Sequence, residues 1–180
     1  MKRVAAIEAG GTKMVCAVGS SVDDVRGATR VIIPTSTPAD TMAAVGAWLR
    51  DVSASAPLDA IGVGAFGPLD LHRGRVMATS PKLAWRDFSW RESLQTIIPG
   101  VPIGIDTDTN AAAIAEATVG AGRGTDVVLY VTVGTGIGAG AYVNGRPLHG
   151  LLHPEFGHVA VPRVDGDDFA GLCPSHGDCL

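Results

Sequence analysis

The chain has 180 residues, of which 46% are hydrophobic and 18% charged, and its mean hydropathy is +0.26. That is enough apolar material for a core, so intrinsic disorder is excluded. Lys+Arg 14 against Asp+Glu 18 gives a net charge of -4, which leaves no electrostatic footprint for nucleic acid or an anionic membrane. The 24 glycines are close to twice the usual share of about 7%. They follow no collagen period and cluster at a few places, as expected for tight turns and for backbone that closely approaches a ligand.

The N-terminal apolar stretch is broken by Glu8 and Lys13 and is too short for a signal peptide. The uncharged run from Val127 to Asn144 is dense in Gly and Thr and alternates like strands, a poor membrane span. A cytoplasmic protein is expected. In chain order, strands are predicted over Val4–Glu8, Lys13–Gly19 and Arg30–Pro34. Thr37 and Pro38 read as the N-cap and first position of a helix whose buried face carries Met42, Val45, Leu49 and Val52. Ala60–Gly64 reads as a buried strand and Ala65–Pro68 as a turn. Ser80–Trp90 has no clear period, and Trp90–Ile98 reads as a short helix. Val101–Asp106 is predicted as a strand and Thr107–Thr118 as a helix. Strands follow over Val127–Val133 and Ile137–Val143. The order implies an α/β fold with an antiparallel start feeding parallel strands. The glycine-rich junction at Gly120–Gly124 suggests lobes over 1–118 and 119–180.

Strand, Gly10-Gly11-Thr12, strand is echoed by strand, Gly134-Thr135-Gly136, strand. Such tips let backbone N–H groups point at phosphate oxygens without interference from Cβ atoms. The hydroxyls of Thr12 and Thr135 add donors and Lys13 adds charge. Neither tip is a P-loop, and Gly134–Gly138 lacks the helix that a dinucleotide fingerprint requires. Each tip alone reads as an ordinary hairpin. The pair suggests two phosphate clamps facing across a cleft.

Asp106-Thr107-Asp108-Thr109-Asn110 follows a strand and opens a helix. Capping explains one acid there but not the whole cluster. A carboxylate beside a cleft suits a base that takes the proton of an acceptor hydroxyl during phosphoryl transfer. Near the end of the chain stand His158, Cys173, His176 and Cys179. Cys-x-x-His-x-x-Cys folds back as a compact knuckle that a distant His can complete. Four N/S ligands suit a closed structural Zn²⁺ site, against free cysteines and surface histidines as the alternative. Cys16, in an apolar strand, reads as a buried thiol. His149 and His153 read as solvated or capping residues.

Glu8-Ala9-Gly10-Gly11-Thr12-Lys13 resembles the first phosphate motif of the ROK sugar kinases, and Gly134–Gly138 the second. His153–His158 with Cys173–Leu180 resembles the zinc segment of the fructokinase branch. The extra His176 favours that branch over the three-cysteine glucokinases. The segments Gly64–Asp70 and Ser80–Phe88 resemble fructokinase loops bordering the sugar, with Trp85 and Phe88 as packing residues. The resemblance implies an actin/hexokinase-like (ribonuclease H-like) ATPase fold, in two lobes with a cleft and with the second lobe incomplete. It implies ATP-dependent phosphorylation of a hexose, D-fructose first, with Asp108 as catalytic base. It also implies phosphate contacts from Gly10, Gly11, Thr12, Lys13, Thr132, Gly134, Thr135 and Gly136. Sugar contacts would come from Asp106, Thr107, Glu155 and His158, although Thr107 stands where the family often has Asn. Zn would be held by His158, Cys173, His176 and Cys179. Mg²⁺ would accompany ATP, with Glu8 ordering it through water, and the full-length form would be a homodimer. The family's residues beyond Cys-Leu normally supply the adenine pocket. Glucose, mannose or N-acetylhexosamine kinases, and an inactive sugar- or zinc-binding fragment, are the alternatives. A repressor of the same family needs a helix-turn-helix for which the sequence before Glu8 has no room.

Overall fold

A computed structural model of the protein describes residues 2–134, 136–171, 173 and 177. Thr135, His176 and Cys179, read above as phosphate and zinc contacts, lie outside the described residues. The chain forms two compact units, residues 1–108 and 109–180.

The first unit is built on a five-stranded sheet of β1 (Val4–Ala9), β2 (Lys13–Gly19), β3 (Val31–Pro34), β4 (Ala60–Ala65) and β7 (Ile103–Thr107), in the order β3-β2-β1-β4-β7. β1, β2 and β3 pair antiparallel, and β4 and β7 continue from β1 in parallel. The expected antiparallel start feeding parallel strands is therefore present. Alternation places Ala5, Ile7 and Ala9 of β1 in the core and leaves Glu8 open.

Helix α2 (Pro38–Ser55) starts where the sequence places it. The Thr37 hydroxyl oxygen accepts the Asp40 N–H at 3.2 Å, and Pro38 occupies the first turn. Met42, Val45 and Leu49 are buried on one face. Gly46 lets α3 (Trp90–Ile97) approach, since a Cβ there would meet Ile97 Cδ1 at 3.3 Å. Ser89 caps α3 through the Glu92 N–H at 3.2 Å. The segment before it is a packed aromatic cluster. Trp85 lies 5.5 Å from both Phe66 and Trp90 and 4.8 Å from Phe88, centroid to centroid. Trp85 and Phe88 are packing residues here.

Two features escape the sequence reading. Helix α1 (Val22–Gly27) buries no residue and, at six residues, is too short to show a period. The hairpin of β5 (Leu69–Asp70) and β6 (Arg75–Val76) is too short to show a period. Its turn needs Gly74, which has φ +66° and stands where a Cβ would meet Ile105 Cδ1 at 2.7 Å.

Helix α4 (Asp108–Val119) begins at the division between the units. In the second unit, β8 (Val127–Val133) and β9 (Ile137–Val143) form a hairpin, with β10 (Arg146–Pro147) beside β9. Gly140 of β9 packs backbone against backbone on Thr109 and Asn110, a position with no space for a side chain. The glycine-rich stretch Gly120–Gly124 lies inside this unit. No helix among the described residues is long and apolar enough to cross a membrane.

Candidate active site

The first glycine turn connects β1 and β2, and its hydrogen bonds divide donors from acceptors. The Gly10 N–H donates to the Lys13 carbonyl at 3.0 Å and closes the turn. The Gly10 carbonyl accepts from the Thr35 hydroxyl at 2.9 Å. The Gly11 carbonyl accepts from Lys82 Nζ at 2.7 Å, and the Thr12 carbonyl from the Thr35 N–H at 2.9 Å. All three carbonyls of Gly10–Thr12 are thus engaged. The amides of Gly11 and Thr12 make no hydrogen bond among the described residues. A turn whose acceptors are occupied and whose donors are open suits an anion. Thr35 and Lys82 arrange this: Thr35 merely follows a strand, and Lys82 lies in the Ser80–Phe88 segment, whose resemblance points to the sugar and not to this turn.

The acids lie at the same end of the sheet. Glu8 pairs in register with Gly64 of β4, and Gly64 with Asp106 of β7. Register partners share a face, and Gly64 puts no side chain between the two acids. Asp108 opens α4 and is half-buried. Partial burial raises the Glu8 carboxyl above its usual pKa, the negative charge of Asp108 raises it further, and Lys13 opposes them. Glu8 and Asp108 therefore feel one another beside the glycine turn. One Asp106 carboxylate oxygen accepts the Thr107 N–H at 2.8 Å. Thr107, read above as a sugar contact, belongs to the other row: it pairs with Ala65, which pairs with Ala9, and all three are buried.

In the second unit, Thr132 is the penultimate residue of β8, and the Gly134 N–H donates to the Gly136 carbonyl at 2.9 Å. The short 3-10 turn Phe156–His158 packs on β9, with Gly157 so close to the Ile137 carbonyl that a Cβ would overlap it. The Glu155–His158 segment thus sits against the second glycine turn. His153 is not solvated as expected. It is 8% exposed, and its Nδ1 lies 3.5 Å from Glu155 Oε1. The spacing His153-Pro154-Glu155 carried that signal, since it puts an imidazole within reach of the carboxylate.

Two of the expected zinc ligands meet, with Cys173 Sγ lying 3.6 Å from His158 Nδ1. A tetrahedral zinc with ordinary Zn–S and Zn–N lengths separates those atoms by about 3.6 Å, so the pair fits one edge of such a site. Cys173 and Gly177 exchange backbone hydrogen bonds of 3.3 and 2.9 Å. Among the described residues, no group of three or more His, Cys, Asp or Glu forms a metal cluster.

A sequence model of the ROK family matches residues 4–180. The chain belongs to the ROK family. It is 44% identical over 179 residues to a Bacillus subtilis (strain 168) protein with a provisional fructokinase name, matching 97% of this chain and 57% of that one. It is 39% identical to a fructokinase of Pediococcus pentosaceus, matching 97% of this chain and 60% of that one. A ROK family glucokinase from Streptomyces griseus, crystallised with glucose and AMPPNP, superposes with a TM-score of 0.78 at 29% identity, covering 98% of this chain and 55% of that one. This ROK chain therefore spans 55% to 60% of the length of these relatives. Its fold is the α/β fold of the hexokinase-like ROK kinases.

Proposed function

We propose that this ROK protein transfers the terminal phosphoryl group of ATP to a hexose hydroxyl, with D-fructose giving D-fructose 6-phosphate. One observation carries the reading: the open amides of Gly11 and Thr12 stand at the sheet end that also bears Glu8, Asp106 and Asp108. A polyphosphate held on those amides has carboxylates beside it. Asp108 takes the proton of the sugar hydroxyl as its oxygen bonds to the terminal phosphorus, and the bond to ADP breaks. Asp106 orients the sugar through its hydroxyls, and Glu155, whose Oε1 lies 3.5 Å from His153 Nδ1, is a further sugar contact of the proposal. Gly134, Thr135 and Gly136 form the other phosphate turn. The fructokinase names at 44% and 39% identity support fructose over other hexoses.

Glu8 offers a carboxylate that would order Mg²⁺ through water, and the ion, when bound with ATP, would neutralise phosphate charge. His158, Cys173, His176 and Cys179 would hold Zn²⁺, which when bound fixes the loop that carries Glu155. Protein acting in the cytoplasm as a homodimer completes the proposal.

The test is ADP formation by the purified protein with fructose, glucose, mannose and N-acetylmannosamine in turn. The reading expects the highest kcat/KM with fructose. A higher value with another hexose replaces fructose, and no ADP with any of them removes the kinase reading for this chain. A second reading is that the chain binds sugar or zinc without turnover. Calorimetric binding of fructose without ADP formation would support it.

A further inference from the structure

We propose that Lys82 is a positioning residue that makes the first glycine turn acceptable to a polyphosphate; this rests on the phosphate role proposed above for Gly11 and Thr12. The ammonium is held from two sides. Nζ lies 2.7 Å from the Gly11 carbonyl oxygen and 5.7 Å from the centre of the Phe66 ring. Phe66 is itself packed edge-on against Trp85 at 5.5 Å. The Lys82 backbone is fixed as well. Its N–H donates to the Ser80 hydroxyl at 3.3 Å and its carbonyl accepts the Trp85 N–H at 2.9 Å.

The glycine at 11 is explained by this approach. A Cβ there would lie 2.5 Å from Lys82 Cε and 2.7 Å from Nζ. Gly10 has a separate reason, since its Cβ would lie 2.8 Å from the Lys13 carbonyl oxygen. The Gly-Gly pair is therefore one glycine for the turn and one for the lysine.

The electrostatic consequence is direct. An amide carbonyl oxygen carries partial negative charge and repels phosphate oxygens. Lys82 cancels that repulsion at Gly11 while the neighbouring amides stay open. Lys13, the cation suggested by sequence, is exposed, and its charge is felt by Glu8. No carboxylate is paired with Lys82 among the described residues. Its charge is thus available to the turn.

The experiment is calorimetric titration of the purified 180-residue chain with inorganic tripolyphosphate, and separately with fructose. Lys82→Met should weaken tripolyphosphate binding about tenfold or more, the size of one charge-assisted contact. It should also flatten the salt dependence. Lys82→Arg should recover most of the loss. Gly11→Ala, which displaces only the far end of a flexible side chain, should weaken binding in the same way. The double variant should be no worse than the more affected single one, because both changes remove one interaction. Thermal melts establish that each variant folds. Should Lys82→Met not melt cooperatively, Gly11→Ala and Lys82→Arg decide.

Undiminished tripolyphosphate binding by Lys82→Met, or loss of fructose binding alone, overturns the proposal and leaves the phosphate role of the turn standing. Absence of tripolyphosphate binding by the unaltered chain overturns both.

Discussion

Glu8 of β1 and Asp106 of β7 share one register row, joined through Gly64 of β4. Strand spacing puts their backbones about 10 Å apart. The middle residue has no side chain, so none stands between the acids. Asp108 follows Asp106 at the start of α4 and raises the Glu8 carboxyl. The Gly10 turn begins directly after β1. Carboxylates and open backbone donors are thus concentrated at one end of one sheet.

Glu8 makes stability pH-dependent. Its folded pKa is raised above 4.5 by burial first and by Asp108 second. The folded state therefore holds that proton more tightly than the unfolded state does. Stability falls as pH rises from about 4.5 through the raised value. Glu8→Gln removes this fall, so its melting temperature should gain on the unaltered protein between pH 4 and pH 7. The gain is under about 1 kcal/mol because solvent still reaches the carboxylate. Parallel melting curves across that range would contradict the assignment.

Cys16 acts in the alkaline range. Burial, then the negative charge of Glu8, pushes its thiol up to about 11 from 9.0. The unfolded thiol ionises first, so the stabilising contribution declines between those values. The stability difference between the unaltered protein and Cys16→Ala should narrow by about 1 kcal/mol from pH 8 to pH 10. Chemical denaturation at the two pH values measures it, and a constant difference would contradict it.

The His158–Cys173 pair predicts about one zinc per chain in protein purified without chelator. Cys173→Ser should lose the metal. A cost of about 2 kcal/mol would lower the melting midpoint by about 4–8 °C, and fructose affinity should fall with it. Elemental analysis and melting curves check both. Protein without zinc that melts no differently from Cys173→Ser would remove the metal from the account.

The face of β8 predicts association. Val127, Leu129, Val131 and Val133 alternate along one face and are 62%, 48%, 46% and 76% exposed, and β8 is an edge of its sheet. Such a face promotes contact between molecules. Val131→Glu should reduce concentration-dependent association in analytical ultracentrifugation. Unchanged association would place the contact elsewhere.

Much of the fold was legible because strong local signals agree with tertiary packing. Lys13–Gly19, Val127–Val133 and Ile137–Val143 are largely apolar runs and form strands over those residues. Thr37-Pro38 starts α2 because hydroxyl capping and a fixed φ act locally. Helix α1 was not legible, since six residues with only Val22 and Val25 apolar are too few to show a period, and neither was the two-residue strand pair at Leu69 and Arg75. Asp108, Glu8 and the glycine turns were legible as chemistry-bearing clusters. The partners that shape them were not. Thr35 and Lys82 act through contacts that only folding creates, and Lys82 reaches Gly11 from a segment that shows no period.

The most direct test is turnover by Asp108→Asn in a coupled ADP assay with fructose, alongside tripolyphosphate binding. Asp108 as the proton acceptor predicts a fall in kcat of about a hundredfold or more, with tripolyphosphate affinity within about twofold of the unaltered protein. Turnover close to that of the unaltered protein would contradict the assignment and leave the hydroxyl proton to another group.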